Sequence, residues 1–146
     1  MAASIRWLAI ASLWTITAAC GDVTEPSEHL DDARARWRDS GPLHYTMVIR
    51  SACDECGSEM TDAVRIRVAN GFPASHHYVT SGAVVNPGYA WRFPAIDDLF
   101  SRIEISIRSG GLREVRYDRA LGYPTLVNTG GFPHLYEVVD LQSDED

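Results

Sequence analysis

The residues most suited to chemistry are two closely spaced cysteines, Cys53 and Cys56. Two residues separate them, a spacing that fits a disulfide, a redox-active dithiol or half of a zinc site. A reactive thiolate needs positive charge or a helix N-terminus nearby, whereas Asp54, Glu55 and Glu59 around this pair are acidic. We therefore expect a structural disulfide, which persists in an oxidising compartment.

A zinc site is the metal alternative for the same pair. His76 or His77, from a neighbouring strand, would supply a third ligand and His44 a fourth. Adjacent residues of a strand point to opposite faces, so only one of His76 and His77 can join. Because the sequence lacks the second half of a zinc motif, we predict no metal and no cofactor.

No other pattern indicates an enzyme class. The sequence contains neither a nucleophile elbow nor a metalloprotease helix motif, and its Gly110-Gly111 and Gly130-Gly131 pairs lack the Lys and the spacing of a phosphate loop. We therefore expect a non-enzymatic binding or interaction domain with no catalytic residue. The alternative is a thiol-disulfide or metal-dependent enzyme of the cell envelope that uses Cys53 and Cys56.

Residues 1–19 have the pattern of an export signal. Arg6 and the amino terminus form a short positive segment, and the mostly apolar run from Trp7 to Ala19 is short for a bilayer span. The segment Thr17-Ala18-Ala19-Cys20 resembles the lipobox of bacterial lipoproteins, although Thr17 stands where an aliphatic residue is usual. The resemblance implies acylation of Cys20; ordinary cleavage after Ala19 is the alternative.

Lipidation of Cys20 would anchor the mature chain to a membrane and leave two cysteines to pair. The expected location is the bacterial cell envelope, at the outer membrane in a Gram-negative cell. Arg6 is the one basic residue before Cys20, so 12 basic and 20 acidic residues remain, a formal charge of −8. This charge disfavours nucleic acid as a partner. We expect the membrane, through the lipid, and an unidentified envelope protein or ligand as partners.

Hydrophobic periodicity indicates the elements that must position these residues. The sequence as a whole predicts a signal at 1–19, a tether at 20–27, one domain at 28–142 and an acidic tail at 143–146. A first helix is expected from an N-cap at Ser27 to Gly41-Pro42. Its apolar face would contain three residues: Leu30, Ala33 and Trp37.

Alternating apolar residues then predict strands. The first strand would face the core with Leu43, Tyr45, Met47 and Ile49, and the second with Val64, Ile66 and Val68. Asn70-Gly71 predicts a tight turn into a third strand at 75–80. Residues 81–95 are expected to form a loop with Trp91 and Phe93 packed onto the domain.

A second helix is expected from near Ile96 to about Ser106, with Ile96, Leu99, Phe100, Ile103 and Ile107 on one face. Three more strands are predicted at 112–118, 123–128 and 135–141. The order helix, three strands, helix, three strands predicts an α+β fold, an antiparallel sheet with helices on one face. Gly71-Phe72-Pro73 and Gly131-Phe132-Pro133 recur at corresponding turns, which leaves an internal duplication open.

Several motifs together resemble a family of uncharacterised bacterial lipoproteins, described only as a domain of unknown function. They are Trp37, Tyr45, the pair Cys53 and Cys56, Ile66 to Gly71, Ile96-Asp97-Asp98-Leu99-Phe100, and Tyr117 to Thr125, which contains Gly122-Tyr123-Pro124-Thr125. Ala95 stands where the family commonly has a capping Thr. The family's cysteines are often one residue apart, whereas two residues separate Cys53 and Cys56. The resemblance covers about residues 30–141 and implies architecture and location, not a substrate.

Overall fold

The computed structural model describes residues 26–53, 56–57, 61–131 and 133–144. The predicted signal, Cys20 and most of the tether lie outside the described residues. The elements are α1 (Pro26–Ser40), β1 (Tyr45–Ala52), β2 (Val64–Ala69), β3 (Phe72–Tyr78), α2 (Pro87–Ala90), α3 (Ile96–Arg108), β4 (Leu112–Tyr117), β5 (Pro124–Thr129) and β6 (Leu135–Ser143). None of the described helices combines the length and apolar character that crossing a bilayer requires.

The strands form a six-stranded sheet in the order β3-β2-β1-β6-β5-β4. Every neighbouring pair is antiparallel. The predicted α+β class is therefore confirmed. The order of elements is matched only in part, because the short helix α2 lies within the segment predicted as a loop.

One hydrophobic core joins α1 and α3 to the same face of the sheet. Alternate residues of β1 and β2 point into it, and the predicted apolar faces of both helices are buried against them. The largest fully buried side chains include Tyr45, Met47, Phe93, Phe100 and Tyr136. The helices therefore leave the opposite face of the sheet to solvent.

Several predicted boundaries were wrong. The first helix begins at Pro26, one residue before the expected cap Ser27. Strand β3 begins at Phe72, because the chain re-enters the sheet directly after the turn. Strand β6 extends to Ser143, beyond the predicted end at residue 141, and the Asp144 amide donates to the His44 carbonyl at 2.9 Å.

Two apolar residues expected to be buried are exposed. Leu43 is 67% exposed because β1 starts only at Tyr45, and the Leu43 carbonyl instead accepts from the Gly71 amide at 3.0 Å. Trp91 is 51% exposed, whereas its neighbour Phe93 is 1% exposed. The loop thus packs one of its two aromatic residues into the core and presents the other at the surface.

The turn between β2 and β3 is the predicted tight reversal. Asn70 and Gly71 have φ values of 52° and 78°, the left-handed pair that two-residue hairpins favour. Gly131 and Pro133 lie at the equivalent position between β5 and β6. Phe72 and Pro73 already belong to β3, whereas Pro133 precedes β6, so the two turns differ in detail.

The N-terminus of α3 is capped from the sheet. Ala95 has no side-chain acceptor to offer, as expected from the sequence. Instead the Ile96 amide donates to the Tyr45 hydroxyl at 3.2 Å, which satisfies one of the helix's free N–H groups. A residue of β1 thereby fixes the start of α3 against the sheet.

Candidate functional site

The cysteine pair lies directly after β1. The Sγ atoms of Cys53 and Cys56 are at bonding distance and their Cα atoms are 5.5 Å apart, a normal separation for a disulfide. Both residues are half-buried. The structure therefore brings together the two residues that the sequence singled out as a pair.

Arg92 contacts this pair, a neighbour that the sequence did not reveal. Its Nη1 lies 3.9 Å from the Cys56 Sγ, and the residue is only 9% exposed. The guanidinium stacks over the Trp91 ring at 5.1 Å and the Tyr89 ring at 5.7 Å. These aromatic contacts hold a cation against a sulfur atom.

Local sequence explains how Arg92 reaches this position. The Asn86 side chain accepts from the Gly88 amide at 2.9 Å, and Pro87 starts α2. The Arg92 amide then donates to the Tyr89 carbonyl at 3.0 Å, which tightens the turn after α2. This turn directs Arg92 toward the cysteines.

A second arginine borders the same region. Arg102 of α3 donates to the Tyr136 hydroxyl at 2.8 Å and to the Trp91 carbonyl at 2.7 Å. Burial raises the pKa of Tyr136, and the nearby Arg102 and Arg92 guanidinium groups oppose that rise. Arg92 thus adds a cation to the described surroundings of the cysteine pair; the acidic neighbours Asp54, Glu55 and Glu59 lie outside the described residues.

The histidines of the zinc alternative are not assembled with the cysteines. Within the described residues no group of three or more His, Cys, Asp or Glu side chains lies close enough to hold a metal ion. His76 faces the core side, where its Nε2 is 3.2 Å from the Phe93 carbonyl and burial lowers its pKa. His77 pairs with Arg65 on the opposite face.

A polar groove separates α1 from α3. Two cavities of about 290 and 240 Å³ share Arg34 and Glu104 in their linings. Arg34 Nη2 pairs with Glu104 at 3.1 Å, and the Arg34 Cζ lies 5.6 Å from the centre of the Phe100 ring. Arg108 binds the other oxygen of Glu104 at 2.9 Å. Because its central charges pair with one another, we interpret the groove as a helix contact.

The aromatic residues predicted to form the core do so. Trp37 and Phe100 are 6% and 1% exposed. Tyr117 is partly buried and stacks on Phe100, with ring centroids 6.3 Å apart and planes 15° apart. These residues support the fold and do not form a ligand platform.

The Tyr117 hydroxyl is buried and has no hydrogen-bond partner among the described residues. Burial raises its pKa from 10.0 to about 12. Between these values the folded chain keeps the proton that the unfolded chain loses. The stability linked to Tyr117 is therefore complete below pH 10.0 and is lost as pH rises toward about 12.

Tyr117→Phe is expected to weaken this alkaline loss of stability while changing stability little near neutral pH. Urea unfolding at about pH 8 and about pH 11 measures both effects. Tyr45→Phe is the matched control: its pKa is likewise raised to about 12, but its hydroxyl caps α3. That variant should cost about 1 to 3 kcal/mol near neutral pH. An equal neutral cost for both variants would contradict the prediction.

The sheet face away from the helices carries half-buried and exposed side chains. We call it the open face. Its residues are Thr46, Val48, Arg50, Arg65, Arg67, Glu114, Arg116, Leu126, Asn128, Leu135, Glu137, Asp140 and Gln142, assigned by alternation and register. The aliphatic residues lie among charged ones, so the face combines apolar surface with charges at defined positions.

Charges on the open face are sorted by strand. Arg65 and Arg67 of β2 stand opposite Val48 and Thr46 of β1. On the other side of β1, Asp140 of β6 stands opposite Val48. A basic column and an acidic column therefore flank the centre of the face, roughly 10 Å apart because adjacent strands are about 4.8 Å apart.

The ion pairs on this face are open to solvent. Arg50 and Glu137 approach to 3.8 Å, with side chains 57% and 51% exposed. Arg67 and Asp144 are also 3.8 Å apart, and Arg67 is 70% exposed. Such pairs contribute about 0 to 1 kcal/mol. Their charges remain accessible to a partner at little cost in stability.

Comparison with known proteins identifies a family. Residues 29–131 match a family of unknown function, DUF6174. No curated protein and no solved structure matches the chain.

Proposed function

We propose that this chain, which belongs to the DUF6174 family of unknown function, is a lipid-anchored protein of the cell envelope whose domain binds another envelope component without catalysing a reaction. The open face is the observation that carries the binding proposal. The helices and the core occupy one side of the sheet, and the other side is a helix-free surface of aliphatic and charged residues. Such a surface, with aliphatic and charged side chains along several strands, fits a protein partner.

The pattern of charges favours a specific orientation of the partner. Arg65 and Arg67 would face acidic side chains, and Asp140 on the far side of Val48 would face a basic one. Complementary charges steer encounters and fix register more than they add affinity. The aliphatic residues between them would supply apolar contact at the centre.

The export signal and the lipobox-like segment support the membrane anchor. Five residues lie between Cys20 and the start of α1 at Pro26. Even a fully extended tether of that length spans only about 20 Å. The partner would therefore be a membrane protein or another component held close to the bilayer.

Photo-crosslinking in cells would test the proposal. A photoreactive residue at Val48, the centre of the open face, should yield a discrete crosslink to an envelope protein. Arg65→Glu combined with Arg67→Glu should remove most of that product, since the basic column then repels its acidic counterpart. Both arginines are exposed, so this variant should fold normally.

Three controls make the result specific. A photoreactive residue at Arg36, exposed on α1, reports crosslinking from the helix side. Arg36→Glu with Arg119→Glu matches the charge change on exposed residues outside the open face and should leave the crosslink intact. Cys20→Ser should release the protein from the membrane and lower crosslinking. Equal products from Val48 and Arg36, or none from Val48, would refute the binding role of the open face.

A further inference from the structure

We propose that the Cys53–Cys56 disulfide takes part in thiol-disulfide exchange with a dithiol, and that Arg92 makes Cys56 the leaving thiolate. The proposal goes beyond the binding role of the open face and rests on the position of Arg92. A thiolate is favoured beside a guanidinium, and a disulfide breaks more readily toward the sulfur that carries negative charge best. Arg92 Nη1 is 3.9 Å from the Cys56 Sγ.

Arg92 is held in place before any bond breaks. The residue is 9% exposed and its guanidinium lies over the rings of Trp91 and Tyr89. A cation that is already positioned needs no rearrangement when charge develops on sulfur. Its partial removal from water also strengthens its attraction for the new thiolate.

Other polar residues lie on segments next to the pair in the sheet or in the sequence. Arg102 of α3 adds a second cation near Tyr136. His134 lies next to Leu135, which pairs with Ala52 at the end of β1. Asp62 follows the loop in sequence and is half-buried. Asp54 and Glu55 lie outside the described residues, and their carboxylates act against thiolate formation. The direct Arg92 contact distinguishes Cys56 from Cys53.

The exchange proceeds in two balanced steps. The first thiolate of a dithiol attacks the Cys53 Sγ, the bond to Cys56 breaks, and its electron pair passes to the Cys56 Sγ beside Arg92. A mixed disulfide now joins the reductant to Cys53. The second thiolate of the dithiol then attacks the dithiol's sulfur atom in the mixed disulfide. The bond to Cys53 breaks, and Cys53 leaves as a thiolate, which takes up a proton. The dithiol is oxidised to a disulfide, and two electrons reach the protein.

Two measurements on the full chain in detergent test this assignment, with Cys20→Ser present so that only Cys53 and Cys56 react. In the first, each remaining cysteine is kept alone by replacing the other with Ser, and its pKa is read from the pH dependence of alkylation by iodoacetamide. We expect a pKa below about 7.5 for Cys56 and one near or above about 8.5 for Cys53. Equal values would overturn the proposal.

In the second measurement, glutathione reacts briefly with the disulfide and the mixed disulfide is located by mass spectrometry after an acid quench. We expect glutathione on Cys53; attachment mainly to Cys56 would overturn the assignment. Arg92→Gln should raise the Cys56 pKa and slow reduction several-fold, whereas Arg92→Lys retains part of the effect and Arg36→Gln, on an exposed arginine, changes neither. An unchanged Cys56 pKa in folded Arg92→Gln would overturn the role of Arg92. If Arg92→Gln does not fold, the pKa values of Cys56 and Cys53 in the two single-cysteine variants, both with Arg92 intact, test the proposal.

Discussion

Gly122→Ala is expected to destabilise the protein by about 2 to 5 kcal/mol, a large share of the total for a small domain. Gly122 has a φ of 81°, a conformation that costs an L-residue about 1 to 2 kcal/mol. A Cβ at this position would also meet the Ala33 carbonyl oxygen and lie 2.9 Å from the Arg36 Cβ. Overpacking of that kind adds about 1 to 3 kcal/mol, since the backbone of α1 cannot easily yield.

Gly110→Ala is the matched control, because it separates the two costs. Gly110 also has a positive φ, 70°, but a Cβ there would meet no atom within 4 Å. This variant should cost only the conformational part, about 1 to 2 kcal/mol. Chemical denaturation of both variants and the wild type measures the difference. If Gly110→Ala is as destabilising as Gly122→Ala, close packing of the turn against α1 is not the reason for glycine at position 122.

The turn around Gly122 also shows what local sequence can establish. The Asp118 side chain accepts from the amides of Ala120 and Leu121 at 2.9 and 2.7 Å, which is standard turn chemistry for aspartate. Gly122 takes a positive φ, which glycine tolerates best, and Pro124 is the first residue of β5, one residue after the predicted start. The approach of Gly122 to α1 could not be predicted, because Ala33 is remote in sequence.

Hydrophobic periodicity predicted the buried residues correctly where an element buries a continuous stripe of apolar side chains. Ile96, Leu99, Phe100 and Ile103 are buried on one face of α3, as their spacing predicts, and Ile105 points to solvent. It failed at Leu43, where apolar alternation continues beyond the end of the strand. It also failed at Trp91, since a loop has no period and α2 decides which aromatic residue turns inward.

The contact between Arg92 and Cys56 was not predicted from the sequence. Sequence neighbours supplied the acidic residues, whereas the cation that touches Cys56 lies 36 residues away. Arginine is usually exposed, so composition gave no reason to expect a buried one at position 92. Its burial depends on rings that α2 brings together. The charge pattern of the open face could not be predicted from the sequence either, because strand order decides which charges become neighbours.

Trp37→Ala is expected to cost about 3 to 5 kcal/mol, the usual range for removing a buried large aromatic side chain. Trp37 is 6% exposed and packs edge-on against Tyr45 at 5.5 Å and Tyr123 at 6.0 Å. Tyr45 in turn caps α3, and Tyr123 belongs to the turn that contains Gly122. The indole therefore links α1 to the sheet, to α3 and to that turn, and truncating it leaves a cavity where these elements meet.

Trp91→Ala provides the comparison within the same chain. Trp91 is 51% exposed and makes its main contact with the Arg92 guanidinium. Loss of this cation-π contact should cost about 0.5 to 2 kcal/mol, less than the loss of the buried indole. Urea denaturation followed by circular dichroism compares both variants without relying on tryptophan fluorescence. A loss at Trp37 no larger than the loss at Trp91 would show that the junction of α1, α3 and the sheet does not depend on the indole.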